Sequence, residues 1–348
     1  MEWASSLSAA PHELSTEVQT VTIPEGLHSA RQAFSEAPAS ARAVGDSPPS
    51  PYMSLASHGV APNITVAICT RNRAAKLARA FDALLDMEIP DGLTWELVVI
   101  DNASTDRTPE VIAAYADRLP LRCETHLARG VSGARNAALR ASRGQIIAWT
   151  DDDCMVDRTW MTTIWREFTT DPELGVLGGY VAPFLGDAAP SEPSAEPRME
   201  VTTDGAMLLA NLTRIATCNA AFSRAACSRV GEFDEQLGTG TWAGSAEDWD
   251  FVYRAVRSEV RVVFCPQMVV YHHHGRSQAE LHGTNRDYAV GRGAFYCKHI
   301  LKGDSVALAV AWYEIRAWTL SLWRHLVGVS RWISYLMMGA IHRVVRIP

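Results

Sequence analysis

Two groups of carboxylates are the residues whose types and spacing could do chemistry. Asp151, Asp152 and Asp153 stand side by side in "TDDDCM", directly after the apolar run "QIIAW", and Glu247, Asp248 and Asp250 follow much later in "AEDWDF". Three adjacent negative charges repel one another. A hard divalent ion such as Mg²⁺ or Mn²⁺ is the counter-charge that suits carboxylate oxygens, and such an ion keeps water and bridges to phosphates. The plainer alternative for the triplet is a helix cap or an exposed turn. The second group begins a predicted helix behind the glycine-containing loop "GTGTWAGS", where the helix dipole tolerates negative charge. One of its members can act as a general base on an attacking hydroxyl; alternatively all three merely favour a helix N-terminus. Hydrolases also use paired carboxylates, one as an acid.

The elements that must position these groups alternate in type. "ITVAICT", "ELVVID", "LRCETHL" and "GQIIAW" read as short apolar strands, and "AAKLARAFDALLDM", "PEVIAAYADRL" and "SGARNAALRAS" read as helices between them. This alternation predicts an α/β fold with a Rossmann-like, doubly wound, mainly parallel sheet. In such sheets ligands sit beyond the carboxyl ends of the strands. "TRNR" (residues 70–73), Asp101 with Asn102, and the aspartate triplet all lie at such ends, so they are expected to converge on one crevice. Further on, "TWMTTIWREFTT" reads as helix, "GVLGGYVAPF" as strand, "LGDAAPSEPSAEPRME" as a polar loop, and "VRVVFCP" with "QMVVYHHHGRS" as strand.

Three regions are expected: a low-complexity extension at 1–61, a catalytic domain at 62–275 and a helical C-terminal region at 276–348. The net charge of -7 is spread along the chain, and the central region has no basic stripe with interleaved aromatics to argue for nucleic acid as the main partner. Seven widely spaced cysteines carry no CxxC or Cys/His zinc pattern and fit a reducing compartment. The N-terminus has no basic start followed by an apolar run, so a cytoplasmic location is expected, including the inner face of the cell membrane. From Val306 to Arg346 several Trp and Arg residues alternate with aliphatic ones, without a clean spanning stretch. That pattern suits a peripheral helix on an anionic membrane and equally suits helices packed on the catalytic domain.

Six stretches in one order, "ITVAICTRNR", "LVVIDNASTDRT", "GVSGARNAAL", "GQIIAWTDDDC", "CNAAFSRAACSRVGEFDEQLG" and "AEDWDFVYRA", resemble the inverting family 2 glycosyltransferases of the GT-A fold. The resemblance covers residues 64 to about 275. It implies transfer of a sugar from a UDP-, GDP- or dTDP-sugar to a hydroxyl acceptor in polysaccharide, glycolipid or glycosylated-metabolite synthesis, with Mn²⁺ or Mg²⁺ on the diphosphate. A lipid-linked acceptor would agree with membrane contact. Carried across residue by residue, the resemblance gives Thr70, Arg71, Asp101, Arg135, Asp151 and Asp152 to the nucleotide sugar, with Arg73 near the phosphates. Asp153 matches the metal ligand, with His272 beside it; His273 and His274 receive no role. Asp248 matches the base, with Glu247 supporting it or contacting the acceptor, and Trp242, Asn219 and Trp249 fall on the acceptor side. A sugar nucleotidyltransferase would carry a glycine-rich basic loop after the first strand, where "CTRNRAAK" has no glycine. A non-catalytic binding protein would be expected to have lost the acidic residues that this chain keeps in both groups.

Overall fold

The computed structural model describes residues 61–184, 197–201, 208, 212–273, 278–317 and 319. The N-terminal extension up to residue 60, the Pro-rich loop at 185–196, His274 and most of the Trp/Arg-rich end lie outside the described residues.

The first half of the fold follows from its apolar patterns. Of β1 (Ile64–Thr70), β2 (Trp95–Asp101), β3 (Leu121–Thr125) and β4 (Ile146–Thr150), all but β3 are rich in β-branched residues, and β1 and β2 are buried on both faces. Strands covered on both faces by crossover helices read as such continuous apolar runs. The covering helices are α1 (Ala74–Leu85), α2 (Thr108–Tyr115) and α3 (Val131–Ala141). In α1, Leu77, Ala80, Phe81 and Leu84 recur at helical spacing and are the buried positions. The start of α2 is set by Asp106, whose Oδ1 accepts both the backbone N–H (3.0 Å) and the hydroxyl (2.6 Å) of Thr108. The four strands are parallel, and the register places Thr70 beside Asp101. Asp151–Asp153 come just past the end of β4, on the same edge.

The second half departs from simple alternation. It contains β5 (Cys154–Val156), α4 (Trp160–Thr170), β6 (Leu174–Pro183), β7 (Met199–Glu200), β8 (Asn219–Ser223), α5 (Arg224–Val230), α6 (Glu247–Arg257), β9 (Arg261–His272), α7 (Gln278–Leu301) and a last helix, α8, at residues 305–317. The sheet order is β3-β2-β1-β4-β8-β6-β9-β5, with β7 on β9. β8 runs antiparallel to both of its neighbours, β4 and β6, and β5 runs antiparallel to β9. The sheet is therefore mainly parallel, with reversed strands in the half that follows the aspartates.

Asn219 pins this reversed strand. Its amide accepts from Trp160 Nε1 (2.8 Å) and donates to the carbonyls of Tyr180 (2.9 Å) and Met268 (2.8 Å). Gly179 leaves it room, since a Cβ there would stand 2.4 Å from Asn219 Nδ2 and 2.2 Å from the Met268 carbonyl oxygen.

Two apolar layers cover the sheet. One packs α1, α2 and α4 around Phe81 and Trp160. The other packs α3, α6 and α7 around Trp149, Phe222, Phe251 and Phe295, with Phe222 and Phe251 stacked at 4.6 Å. Between α6 and α7 lies the fully buried Asp250, which accepts from Arg254 Nε (2.7 Å) and Lys298 Nζ (2.6 Å) and lies 2.9 Å from His299 Nε2. α8 buries Ala307 and Val310 in the second layer while Leu308, Trp312 and Ile315 are exposed. No helix among the described residues is long and apolar enough to cross a membrane.

Candidate active site

A cleft of about 880 Å³ opens where the carboxyl ends of the parallel strands meet the amino end of α6. Its size falls in the range of roughly 300–1,000 Å³ usual for small-molecule sites. The aspartate triplet and, from the second group, Glu247 and Asp248 line it together. Thr70, Arg71, Asn102, Arg135, all three aspartates, Glu247, Asp248, Trp249 and His272 line it.

The aspartate triplet is compensated by the protein's own cations. Thr70 Oγ1 donates to Asp152 Oδ2 at 2.7 Å. Arg73, just before α1, reaches back over the end of β1 and gives Nη1 to Asp152 Oδ1 (3.0 Å) and Asp153 Oδ2 (2.7 Å). Lys76, one turn further, lies 3.1 Å from Asp153 Oδ2, and His272 Nε2 lies 3.1 Å from Asp153 Oδ1. The environments separate the three acids. Burial pushes Asp152 up to about 6 against the pull of Arg73 and the Thr70 hydroxyl. Burial also works to raise Asp153, but the hydrogen bond and charge of His272, together with Arg73 and Lys76, hold its carboxyl well below the usual range. Asp151 is raised by burial, although 38% of its side chain remains exposed.

Asp153, Cys154 and His272 offer donor atoms within 4.8 Å of one another. The oxygen and imidazole donors fit a divalent cation. Cys154, 1% exposed, packs with Val156 in the apolar layer beneath and is not among the cleft-lining residues.

The second group is positioned by α3 and by a strained turn. α3 docks on the chain leading to α6: Ser132 Oγ donates to the Leu237 carbonyl (2.7 Å), Asn136 exchanges hydrogen bonds with the backbone of Phe233 (3.0 and 2.8 Å), and the Val131 N–H donates to the Thr239 carbonyl (3.0 Å). This brings the buried Arg135 to Glu247, Nη1 to Oε1 at 2.5 Å, and within 3.7 Å of Asp151. Arg135 thus spans the two acidic groups, and its guanidinium is engaged by carboxylates on both sides. The residue before α6, Ala246, adopts φ 76, the left-handed region that disfavours a side chain. The resulting turn puts Glu247 and Asp248 at the helix mouth and sends Asp250, two residues on, to the opposite side. Burial and the neighbouring Glu247 charge push Asp248 up to about 7, with Arg135 opposing. Asp250 goes the other way: burial is outweighed by His299, Arg254 and Lys298, which hold it well below the usual range.

The remaining expected residues divide. Arg71 lines the cleft and donates from Nη1 to the Asn102 carbonyl at 3.0 Å. Asp101 is buried, its Oδ1 accepts the Ser104 N–H at 3.0 Å, and the cleft is lined by Asn102 next to it. Trp249 lines the cleft, whereas Trp242 is 69% exposed and outside the lining. Asn219 is a correction. It is 0% exposed and its amide is consumed by the strand contacts described above, so it has no free group to offer an acceptor. His273 is half-buried and its backbone N–H donates to the Asp153 carbonyl at 2.9 Å. Lys76, and Tyr288 and Arg292 from α7, were not expected at the site. The spacing of Arg73 and Lys76 on the first turn of α1 was the available signal for Lys76; nothing local marks the α7 residues.

The pattern described as "Glycosyl transferase family 2" matches residues 65–231. The succinoglycan biosynthesis protein ExoO of Rhizobium meliloti is 38% identical over 92 residues, 26% of this chain and 26% of that protein. A beta-monoglucosyldiacylglycerol synthase of Nostoc is 35% identical over 102 residues, 28% of this chain and 22% of the synthase. The matched part thus spans about a quarter of the length of these relatives. Among solved structures, the mannosyltransferase PcManGT from Pyrobaculum calidifontis, in complex with GDP-Man and Mn²⁺, superposes with a TM-score of 0.55 at 21% identity, covering 76% of this chain and 73% of that one. The shared fold is GT-A, and residues 65–231 match the pattern of glycosyltransferase family 2.

Proposed function

We propose that this protein is an inverting, metal-dependent glycosyltransferase that moves a sugar from a nucleoside diphosphate sugar to a hydroxyl acceptor. The observation that carries the reading is that two carboxylate groups line one cleft, linked by Arg135 and in opposite electrostatic settings. Asp153 is held ionised among cations, while Asp248 is poised near neutrality at a helix mouth. A single in-line displacement needs this division: a base on one side of the sugar and a stabilised leaving group on the other.

Asp248 takes the proton from the acceptor hydroxyl as the oxygen attacks the anomeric carbon. Glu247, clamped by Arg135, fixes the start of α6 and so the aim of Asp248. On the donor side, Asp153 and His272 would hold the divalent ion, with Asp151 and Asp152 near the ribose and the ion's waters. Such an ion, when bound, neutralises charge that develops on the leaving diphosphate. Arg73 and Lys76 add positive charge there and can exchange their present carboxylate partners for phosphate oxygens. Thr70, Arg71 and Asp101, with Asn102, border the nucleoside end. The ExoO relative and the GDP-Man and Mn²⁺ of the mannosyltransferase support polysaccharide synthesis and a metal-bound nucleotide sugar as the chemistry to test first. The test is a thermal-shift screen of UDP-, GDP- and dTDP-sugars with Mn²⁺, because a ligand of the folded state raises its stability. The expected result is stabilisation by one nucleotide family, lost in Asp153→Ala and kept in Asp248→Asn, with Asp248→Asn inactive in transfer. Full transfer by Asp248→Asn refutes the base assignment.

A further inference from the structure

The segment that matches the family ends at residue 231, yet the cleft has a wall from much further along the chain. α7 contributes Tyr288 and Arg292, one helical turn apart, to the lining that also includes Trp249 and Asp248, with Arg292 against the Trp249 ring.

This wall is fastened to α6 at both ends. Towards the N-terminal half of α7, Ser245 Oγ donates to the Asp287 carbonyl at 3.0 Å, and a Cβ on Gly291 would stand 2.2 Å from Ser245 Oγ and 2.7 Å from the Ser245 carbonyl oxygen, so α7 meets the chain closely just before the Glu247–Asp248 pair. Towards the C-terminal end, Lys298 and His299 hold the buried Asp250. Tyr288 and Arg292 lie between these two anchors, at a position set by the helix that carries the base.

The surface presented there is aromatic. Trp249 lies edge-on to Phe295 at 6.4 Å, and the Arg292 guanidinium sits 5.9 Å from the Trp249 ring centre while its Nη1 pairs with Glu314 Oε1 at 2.8 Å. Arg292 is therefore held against the indole and braces it. Tyr288 is 50% exposed. Large, stiff aromatic side chains with one polar tip are suited to a partner that is apolar on one face and polar at its edge. A pyranose ring is such a partner, with C–H groups on its face and hydroxyls around its rim.

We propose that α7 is the acceptor wall of the cleft and that Tyr288, with Trp249, forms a platform that receives a saccharide ring, so that the acceptor hydroxyl belongs to a sugar. Arg292 is a positioning residue that acts through Trp249. The proposal rests on the glycosyltransferase reading above, and its test separates the two.

The experiment is saturation-transfer NMR on the full chain with UDP or GDP and Mn²⁺ present. The probes are methyl β-D-glucopyranoside, methyl β-D-galactopyranoside, methyl α-D-mannopyranoside and methyl α-L-rhamnopyranoside, each at millimolar concentration. Sorbitol, an acyclic polyol with the same kind of hydroxyls and no ring face, is the control. Transfer to the C–H protons of at least one ring is expected, with sorbitol silent. Tyr288→Ala should weaken it by about three- to tenfold, the range for loss of one aromatic contact, and Tyr288→Phe should restore it. Thermal stabilisation by the nucleotide and Mn²⁺ should be equal in the three proteins. If the nucleotide stabilises but no ring binds, or if wild type and Tyr288→Ala bind rings equally, the acceptor-wall proposal is overturned and the donor reading stands. If no nucleotide stabilises the chain while rings bind in a Tyr288-dependent way, the donor reading fails and the platform stands as a sugar-binding surface.

Discussion

Replacing Arg135 by Gln removes the one buried cation that spans both acidic groups. Its charge works to lower Asp248 against burial and Glu247, which together hold that carboxyl up at about 7. Loss of an opposite charge nearby raises a carboxylate by roughly 1–3 units, so the smallest expected change is about one unit, or about 1.4 kcal/mol between protonation states. At pH 7 Asp248 would then fall from about half ionised to about one tenth, a loss of about fivefold in base-dependent rate. For that one-unit change both proteins have a largely ionised base at pH 9, so the deficit should almost vanish there. The sign is specific: the acid limb moves to higher pH. The assay is kcat/KM for release of the nucleoside diphosphate from pH 5 to 10, since that profile reports groups of the free enzyme. Arg135→Lys, which keeps the charge, serves as the control, and each variant is checked for folding by circular dichroism because a broken buried ion pair costs about 3–5 kcal/mol. A uniform loss across the whole pH range, with the acid limb unmoved, would refute the electrostatic role given to Arg135.

Three further outcomes are expected. Asp250→Asn leaves Arg254, Lys298 and His299 around an uncharged amide and should cost about 3–5 kcal/mol, read as a lower urea midpoint. Asn219→Ala strands the Trp160 N–H and the Tyr180 and Met268 carbonyls; at about 1–3 kcal/mol for each buried unpaired group, it should lower Tm without a selective rise in acceptor KM, and such a selective rise at unchanged Tm would restore Asn219 to the acceptor side. Ala246→Gly relieves a side chain at positive φ and should be neutral or stabilising by up to about 1 kcal/mol, measured by chemical denaturation.

How much of this was legible beforehand depended on whether the deciding contact was local. β1 and β2 are largely apolar runs rich in Ile and Val, and α1 repeats its apolar residues at helical spacing; these patterns are written within each segment. β8 is not, because "NAAFS" has small residues that suit a crowded strand only once Gly178 and Gly179 lie beside it. β5 has three residues, too few for a period to show. The aspartate triplet was readable as a charge problem, and its place past β4 as a strand end. Its partners Arg73 and Lys76 stand far off in sequence, and only the parallel register of β1 and β4 brings them together. Asn219 illustrates the limit of residue type: an amide in a pocket and an amide clamping three strands look the same in a sequence.

The way α7 is attached has a consequence for how chains of this kind diverge. The family-matched segment, residues 65–231, holds Thr70, Arg73 and the three aspartates, while Tyr288 and Arg292 come from a later helix joined to the base-bearing helix through Phe295, the Ser245 contact and the buried Asp250. Substitutions on the cleft face of that helix can therefore accumulate without disturbing the strand ends, provided Gly291 and Asp250 are kept. Recognition of the second substrate is, in this architecture, a separately replaceable part.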